Sequence, residues 1–464
     1  MKKINLGSIY NFVQLTFSIF VSILLLTDES VPHHYVHLWV LPLFTGLLIF
    51  FAMVGHKDYW KDVRILILIV LFSARNLYTP FLMFLGNYYG NFTSIKIENV
   101  DLSILIYALE ELIIILFAIR LSKKQKNKLA GFEMNNTRGI SNLLLLVGLS
   151  LFCVLTISIH REYMLDYTSL FSGTNIRSNS AGTNGEGALY TLFGVVFPIT
   201  YSFVSVYLID FVRKRIRNPF RTIFILALIV IPLLFMSNSD AFNLILALCL
   251  ASFAIVSKGT SKKFIFISIA ASLVVVVDIL YMVDKTSLVA QKNNMFENLS
   301  ANSQAYLTGI SNMAGLFNVK GNDKITNFLY DIYAMIPFRN TIIGLQDDYQ
   351  LTRIYYVSND TNSQIVPCIG QLFYYFSIFA PLLECGLIYF AFKAYDKTLK
   401  ANGPLSFFSY CVCFMYLIIT PVLYNFTIFM SRFLITILPM ILMSYLFERP
   451  KKPKIVPNNR SVVC

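Results

Sequence analysis

The sequence predicts an all-α polytopic membrane protein with about twelve transmembrane helices and a large external loop between spans 9 and 10. Three observations lead there. The chain of 464 residues is 56% apolar and only 14% charged, whereas soluble domains carry about 25% charged residues. That leaves too little polar material to cover a globule. The apolar residues gather in runs near the ~20 that a bilayer-crossing helix needs. Lys and Arg fall mainly in alternate connections, as the excess of positive charge in cytoplasmic loops requires.

The apolar runs lie at 10–27, 36–55, 63–85, 102–121, 141–160, 188–211, 222–238, 239–257, 264–283, 377–394, 404–422 and 426–446. The first is too long for a signal peptide, and no small-residue cleavage site follows Thr27, so it reads as a permanent helix. The polar turn Ser237-Asn238-Ser239-Asp240 parts the seventh run from the eighth. With the N-terminus placed in the cytoplasm, the inner segments hold Lys2 and Lys3; Lys57, Lys61 and Arg64; the stretch Arg120 to Arg138; Arg213 to Arg221; Lys258, Lys262 and Lys263; Lys393, Lys397 and Lys400; and Arg449 to Arg460. Both termini are then cytoplasmic. The chain divides into nine spans over 1–283, an external loop over 284–364, three spans over 365–446 and a basic cytoplasmic tail over 447–464.

The external loop is rich in Tyr, Phe, Ile and Leu, which argues against disorder. Ile325, Phe328, Leu329, Ile332, Met335 and Ile336 recur at helical spacing, and Pro337 stops the run. That pattern predicts an amphipathic helix able to lie on the outer membrane face. A second short helix, about Ser363 to Phe376, leads into the tenth span.

Ionisable residues inside spans are costly and need a partner or a polar cavity. Five stand out: Arg75 in the third span, Glu110 and Glu111 in the fourth, Glu384 in the tenth and Arg432 in the twelfth. Two readings stay open for each arginine. Arg75 either pairs with Glu110 or Glu111, or binds an anionic head group from an outward cavity. Arg432 either snorkels to the interface or binds the same group. Arginine suits a pyrophosphate because it is always charged and donates bidentately. Glu110 and Glu111 point about 100° apart on a helix, so one should face protein and the other a cavity.

Arg161, Arg177, Arg339 and Arg353 lie on the external side. Arg177 sits in a flexible, small-residue stretch running from Gly173 to Gly187. Tyr355 and Tyr356 offer stacking faces for sugar rings, or belong to an interfacial aromatic belt. The seven cysteines form no CxxC pair, and the histidines do not cluster near them, so neither a zinc site nor a disulfide framework is expected. The net charge of +13 is distributed as a topology signal and does not point to nucleic acid.

Four stretches resemble the Wzy-type oligosaccharide repeat-unit polymerases of capsule and O-antigen synthesis. They are Arg75-Asn76-Leu77-Tyr78-Thr79-Pro80; Arg177 in the smaller external loop; Ile336-Pro337-Phe338-Arg339-Asn340 in the larger one; and the segment Gln364 to Phe376 before the tenth span. The chain departs from that group at Gly187, ten residues after Arg177 where some members have eleven, and at Ser237-Asn238-Ser239-Asp240, where related proteins carry Ser-Gly-Ser-Arg.

The resemblance implies a metal-independent glycosyltransferase in a bacterial plasma membrane, without cofactor. Its substrate would be a polyprenyl-pyrophosphate-linked oligosaccharide, and a flippase and a chain-length regulator would be its companions. It implies catalytic roles for Arg177, Arg339 and Glu384, and substrate binding by Arg75, Arg353, Arg432, Tyr355 and Tyr356. A lipid-linked oligosaccharide flippase and an O-antigen-type ligase are the alternatives. The large external loop argues against the flippase.

Overall fold

The computed structural model describes residues 6–54, 62–89, 98–123, 138–140, 143–159, 187–215, 223–229, 241–256, 295–319, 323–336, 349–359, 365–401 and 403–450. These residues are almost wholly helical. Seven helical stretches are long and apolar enough to cross a membrane: Ile9–Thr27, His33–Val54, Val63–Gly86, Val100–Lys123, Cys368–Leu399, Pro404–Leu423 and Phe426–Phe447. They match seven of the twelve runs read from the sequence. Shorter apolar helices at Leu144–Thr156, Val196–Val212 and Ile245–Ala254 match three more. The run at 264–283, most of 222–238 and the turn at 237–240 lie outside the described residues.

In chain order the helices are α1 (Leu6–Thr27), α2 (Val40–Val54), α3 (Val63–Gly86), α4 (Val100–Lys123), α5 (Leu143–Ile159), α6 (Gly187–Arg215), α7 (Ala241–Val256), α8 (Met295–Tyr306), α9 (Ile310–Leu316), α10 (Lys324–Ala334), α11 (Leu351–Ser358), α12 (Cys368–Phe376), α13 (Ala380–Leu399), α14 (Pro404–Leu423) and α15 (Phe426–Phe447). Helix α14 is the centre of the bundle, buried along nearly its whole length. It packs against α13, α7, α3, α6 and α15.

Two helices widen into a single π turn, at Ala74–Tyr78 in α3 and at Phe433–Ile437 in α15. Each turn ends two residues before a proline, Pro80 or Pro439. A proline has no N–H to donate, and its ring crowds the carbonyl four residues back. The helix relieves both by shifting to bonds one residue longer. The Thr79 N–H reaches Ala74 O, and the Leu438 N–H reaches Phe433 O. Arg75 lies inside the first widened turn and Arg432 immediately precedes the second.

One end of the bundle is tied by carboxylates. Asp62 accepts from the Arg64 N–H at the start of α3, from the Arg64 guanidinium at 2.8 Å and from Ser122 at the end of α4. Arg64 also reaches Asp396 of α13 at 3.7 Å and lies over the rings of Phe392 and Tyr395. Burial pushes Asp62 up, but the Arg64 and Ser122 hydrogen bonds outweigh it and hold the carboxyl below the usual aspartate range. Its stabilising contribution is therefore present above the unfolded-chain value and is lost as pH falls through the lowered one. At the same end, residues Arg138–Ile140 pair antiparallel with Glu448–Pro450. The connection after α4 and the segment after α15 thus meet on one face.

Helix α14 starts with Pro404 after Gly403, which has no side chain to cap it. Glu448, from the far end of the chain, caps it instead. Its carboxylate accepts from Leu405 N–H at 2.6 Å, from Ser406 N–H at 3.2 Å and from the Ser406 hydroxyl. A Cβ on Gly403 would lie 2.3 Å from that carboxyl carbon. Gly403→Ala is therefore expected to expel Glu448 and cost about 1–2 kcal/mol, the usual range for a lost N-cap. Thermal unfolding in nanodiscs is the check, and Gly403→Ala should add little once Glu448→Ala is present.

At the opposite end, the segment expected to lie wholly outside the bundle dips into it. Helices α8 and α9 form a hairpin packed against α3, α4 and α12. Gly86 permits backbone contact there: a Cβ would meet the Phe296 and Glu297 backbone at 2.8 Å. At the tip, Thr308 has φ 47°, a left-handed conformation that β-branched residues seldom adopt. Its hydroxyl donates to Val422 O at 2.8 Å, a carbonyl at the end of α14. Its own carbonyl accepts from the Tyr107 hydroxyl. Every residue of α9 is buried. The two short helices foreseen in the remainder of the loop are both present, as α10 and α12, and Pro367 sets the start of the latter.

Candidate functional site

The widened turn in α3 aims Arg75 across the bundle interior. Its Nη2 donates to Glu110 Oε2 at 2.7 Å, its Nε to Asn76 Oδ1 at 3.1 Å and its Nη1 to Pro421 O at 3.4 Å. The guanidinium carbon lies 4.1 Å from the centre of the Tyr107 ring. Tyr107 stands one helical turn before Glu110 on α4, so ring and carboxylate face the same neighbour. The pairing reading of Arg75 is what the structure displays, with Glu110 as the partner.

Glu111 turns the other way, but towards protein and not towards a cavity. Its Oε2 accepts from Thr45 of α2 at 2.6 Å and from Asn76 Nδ2 at 2.9 Å. Both glutamates are fully buried, which corrects the expectation that one of them faces a cavity. Asn76 thus divides its amide between the two glutamate systems. The sequence reading passed over it, although it sits inside the quoted Arg75 to Pro80 segment.

Glu384 of α13 completes the cluster. It lies beside Glu110 and the Cys368 thiol, fully buried. Neither of its oxygens has a hydrogen-bond partner of good geometry among the described residues, and the second oxygen of Glu110 lacks one as well. Among the described residues, this cluster therefore holds three carboxyl groups against one arginine, and four of their oxygens have no well-formed donor. Such a site suits a group that brings donors, such as hydroxyls or an amine, better than a phosphate.

The hairpin covers this cluster. Tyr107 binds Thr308, and a Cβ on Gly370 of α12 would meet Met313 and Leu316 of α9 at 3.0–3.1 Å. Tyr355 is buried in the same packing and donates to Asn312 O at 3.3 Å. Tyr356 is half-buried, with its ring edge-on to Tyr355. Arg353 is exposed on α11, and Arg432 is half-buried on α15. Arg177 and Arg339 lie outside the described residues. The structure thus brings Arg75 and Glu384 together and sets Arg353 and Arg432 nearer the hairpin end.

A second buried carboxylate was missed by the sequence reading. Asp331 of α10 accepts from Tyr375 OH at 2.6 Å, Gln371 Nε2 at 2.6 Å and Leu351 N–H at 3.2 Å. Burial pushes its carboxyl above the usual aspartate range despite these donors. Its protonation therefore strengthens the docking of α10 at low pH, and the gain fades as pH rises through the raised value.

No family model, curated protein or solved structure matches the chain.

Proposed function

We propose that the chain polymerises polyprenyl-pyrophosphate-linked oligosaccharide repeat units at the outer face of a bacterial plasma membrane. The observation that supports the reading is Glu384, a fully buried carboxyl beside the arginine-held Glu110 and the Cys368 thiol, with no well-formed donor to either oxygen among the described residues, beneath a helical cap. In this reading the hairpin end faces outward, and the carboxylate-tied end faces the cytoplasm with its basic loops. A hydroxyl of the acceptor repeat unit donates to Glu384. Its oxygen attacks the anomeric carbon of the donor unit, its proton passes to Glu384, and the bond from that carbon to the lipid pyrophosphate breaks.

Arg75 is a positioning residue in this scheme, since its donors are used by Glu110, Asn76 and Pro421. The leaving pyrophosphate falls to the outer arginines, Arg177, Arg339, Arg353 and Arg432. Acceptor and donor reach Glu384 as α9 and α12 part.

Deleting the gene should abolish long polymer and leave single repeat units, in cells whose surface glycan is resolved by gel electrophoresis. Lipid-linked units trapped on the cytoplasmic face would instead establish the flippase. Normal polymer that fails to reach its final acceptor would establish the ligase. Among the outer arginines, at least two Arg→Lys variants should lose about tenfold or more of polymer at normal protein abundance, because lysine keeps the charge but lacks the two-donor fork. Four lysine variants that polymerise normally would remove the pyrophosphate role from this set.

A further inference from the structure

Helix α10 is folded inside out for a helix in water. Its inward side carries Asn327, Asp331 and Met335, all buried, and two of these are polar. Its outward side carries Ile325, Leu329, Ile332 and Ile336, which are 72%, 58%, 41% and 42% exposed. These four recur at helical spacing and form one stripe. At eleven residues the helix is about 16 Å long, too short to span a bilayer. The polar side is fully engaged. Asn327 donates to Tyr374 OH, Asp331 gathers three donors, and Asp323 caps the first turn through the Ile325 N–H.

The stripe adjoins an exposed apolar surface of a candidate span. Phe328 of α10 packs edge-on to Phe376 at 5.5 Å. Phe376 opens an exposed apolar series, Ile378, Phe379 and Leu382, on the membrane-spanning stretch Cys368–Leu399. An apolar helix face that continues a span's lipid-facing side has acyl chains as its natural occupant.

The inward side of α10 leads to the start of α15. The Gln371 amide donates to Asp331 Oδ2 through Nε2, and its Oε1 accepts from the N–H groups of Phe426 and Thr427 at 2.8 and 3.3 Å. These are among the first amides of α15, which otherwise have no helical acceptor. Gln371 Nε2 also reaches Thr427 Oγ1 at 2.6 Å.

We propose that the Ile325–Ile336 stripe docks among the acyl chains of the outer leaflet, and that Asp331 and Gln371 transmit this anchorage to the first turn of α15. The inference rests on the membrane reading and on the proposed outward orientation of the hairpin end, and stands whether or not the chain is a polymerase. Bilayer thickness or packing then acts on the turn that precedes Arg432 and its widened helix.

The test uses the full chain in vesicles of phosphatidylethanolamine and phosphatidylglycerol, some of them brominated on the acyl chain. Trp39 and Trp60 are replaced by Phe, and a single Trp is placed at 325, 329 or 332, with Tyr330→Trp as the control. Brominated lipid should quench the three stripe positions at least threefold more than the control, and aqueous iodide should leave them untouched. Quenching by iodide alone would place the stripe in water. Quenching by neither would mean that another part of the chain or a second copy covers it. Either result overturns the docking.

The relay is read by hydrogen exchange. Leu329→Gln should speed exchange in a peptide spanning 424–432 about tenfold and leave α14 unchanged. Unchanged exchange at 424–432 refutes the relay, and so does faster exchange in both places, which would report general loosening.

Discussion

Arg75→Leu is expected to lower the stability of the folded chain by about 3–5 kcal/mol, the usual cost of removing one partner of a buried ion pair. The loss has an identifiable source. Glu110 would keep its place in the bundle interior with no cation beside it, and Asn76 and Pro421 O would lose a donor. The double variant Arg75→Leu/Glu110→Leu should recover most of that loss, because an apolar pair of similar volume leaves no uncompensated charge. Arg75→Lys should fall between, keeping the charge but not the three-way grip. Thermal unfolding in nanodiscs, with steady-state abundance in the membrane, measures all three. A single variant that unfolds within ~1 kcal/mol of wild type, the usual worth of an exposed pair, would show that the pair does not hold the bundle.

Glu384→Gln is expected to behave oppositely, with little change in stability and a large loss of activity. The polar neighbours of this carboxyl are Glu110 and the Cys368 thiol, and an amide of the same shape can still bond to both. A general base typically contributes about 10²–10⁴-fold to rate, so polymer formation should fall by that order at normal abundance. Glu110→Gln should instead lose stability first, because it weakens the Arg75 contact at 2.7 Å. If Glu384→Gln makes polymer at the wild-type rate, the carboxylate is not the base. If it unfolds as readily as Arg75→Leu, Glu384 belongs to the structural pair.

Seven helices long and apolar enough to span were legible in the sequence, because burial in lipid demands long apolar runs and little else. Helix α10 was legible almost to its ends, since its apolar spacing and the flanking Asp323 and Pro337 are local signals. The packed hairpin of α8 and α9 was not. Asn298, Ser300, Gln304, Ser311 and Asn312 read as an external loop, yet all five are buried. Two of them have remote partners: Ser300 donates to Tyr88 O and Asn312 to Ile365 O. No periodicity announces contacts of that kind.

The charge cluster was legible as a set of expensive residues but not as a pattern of pairs. Arg75 had two adjacent glutamates to choose from. The choice depends on Asn76 and Thr45 occupying Glu111, which is a fact of packing. The widened turn that holds Arg75 was present in the sequence as Pro80, and Pro439 repeats it in α15. The recurrence of a proline a few residues after an arginine in two spans was available and went unused.

The hairpin also dictates an order of assembly. Tyr107, which holds the Thr308 carbonyl, precedes it by 201 residues, whereas Val422, which accepts from the Thr308 hydroxyl, follows it by 114. At a synthesis rate of ~5–20 residues/s, the tip leaves the ribosome about 6–23 s before its second anchor exists. During that interval the polar groups of α8 and α9 have no completed socket to enter, so water or a membrane chaperone must hold them. The hairpin is therefore the last part of the core to seat. A chain truncated between residues 317 and 421 should insert its early spans normally and still leave residues 295–316 open to protease.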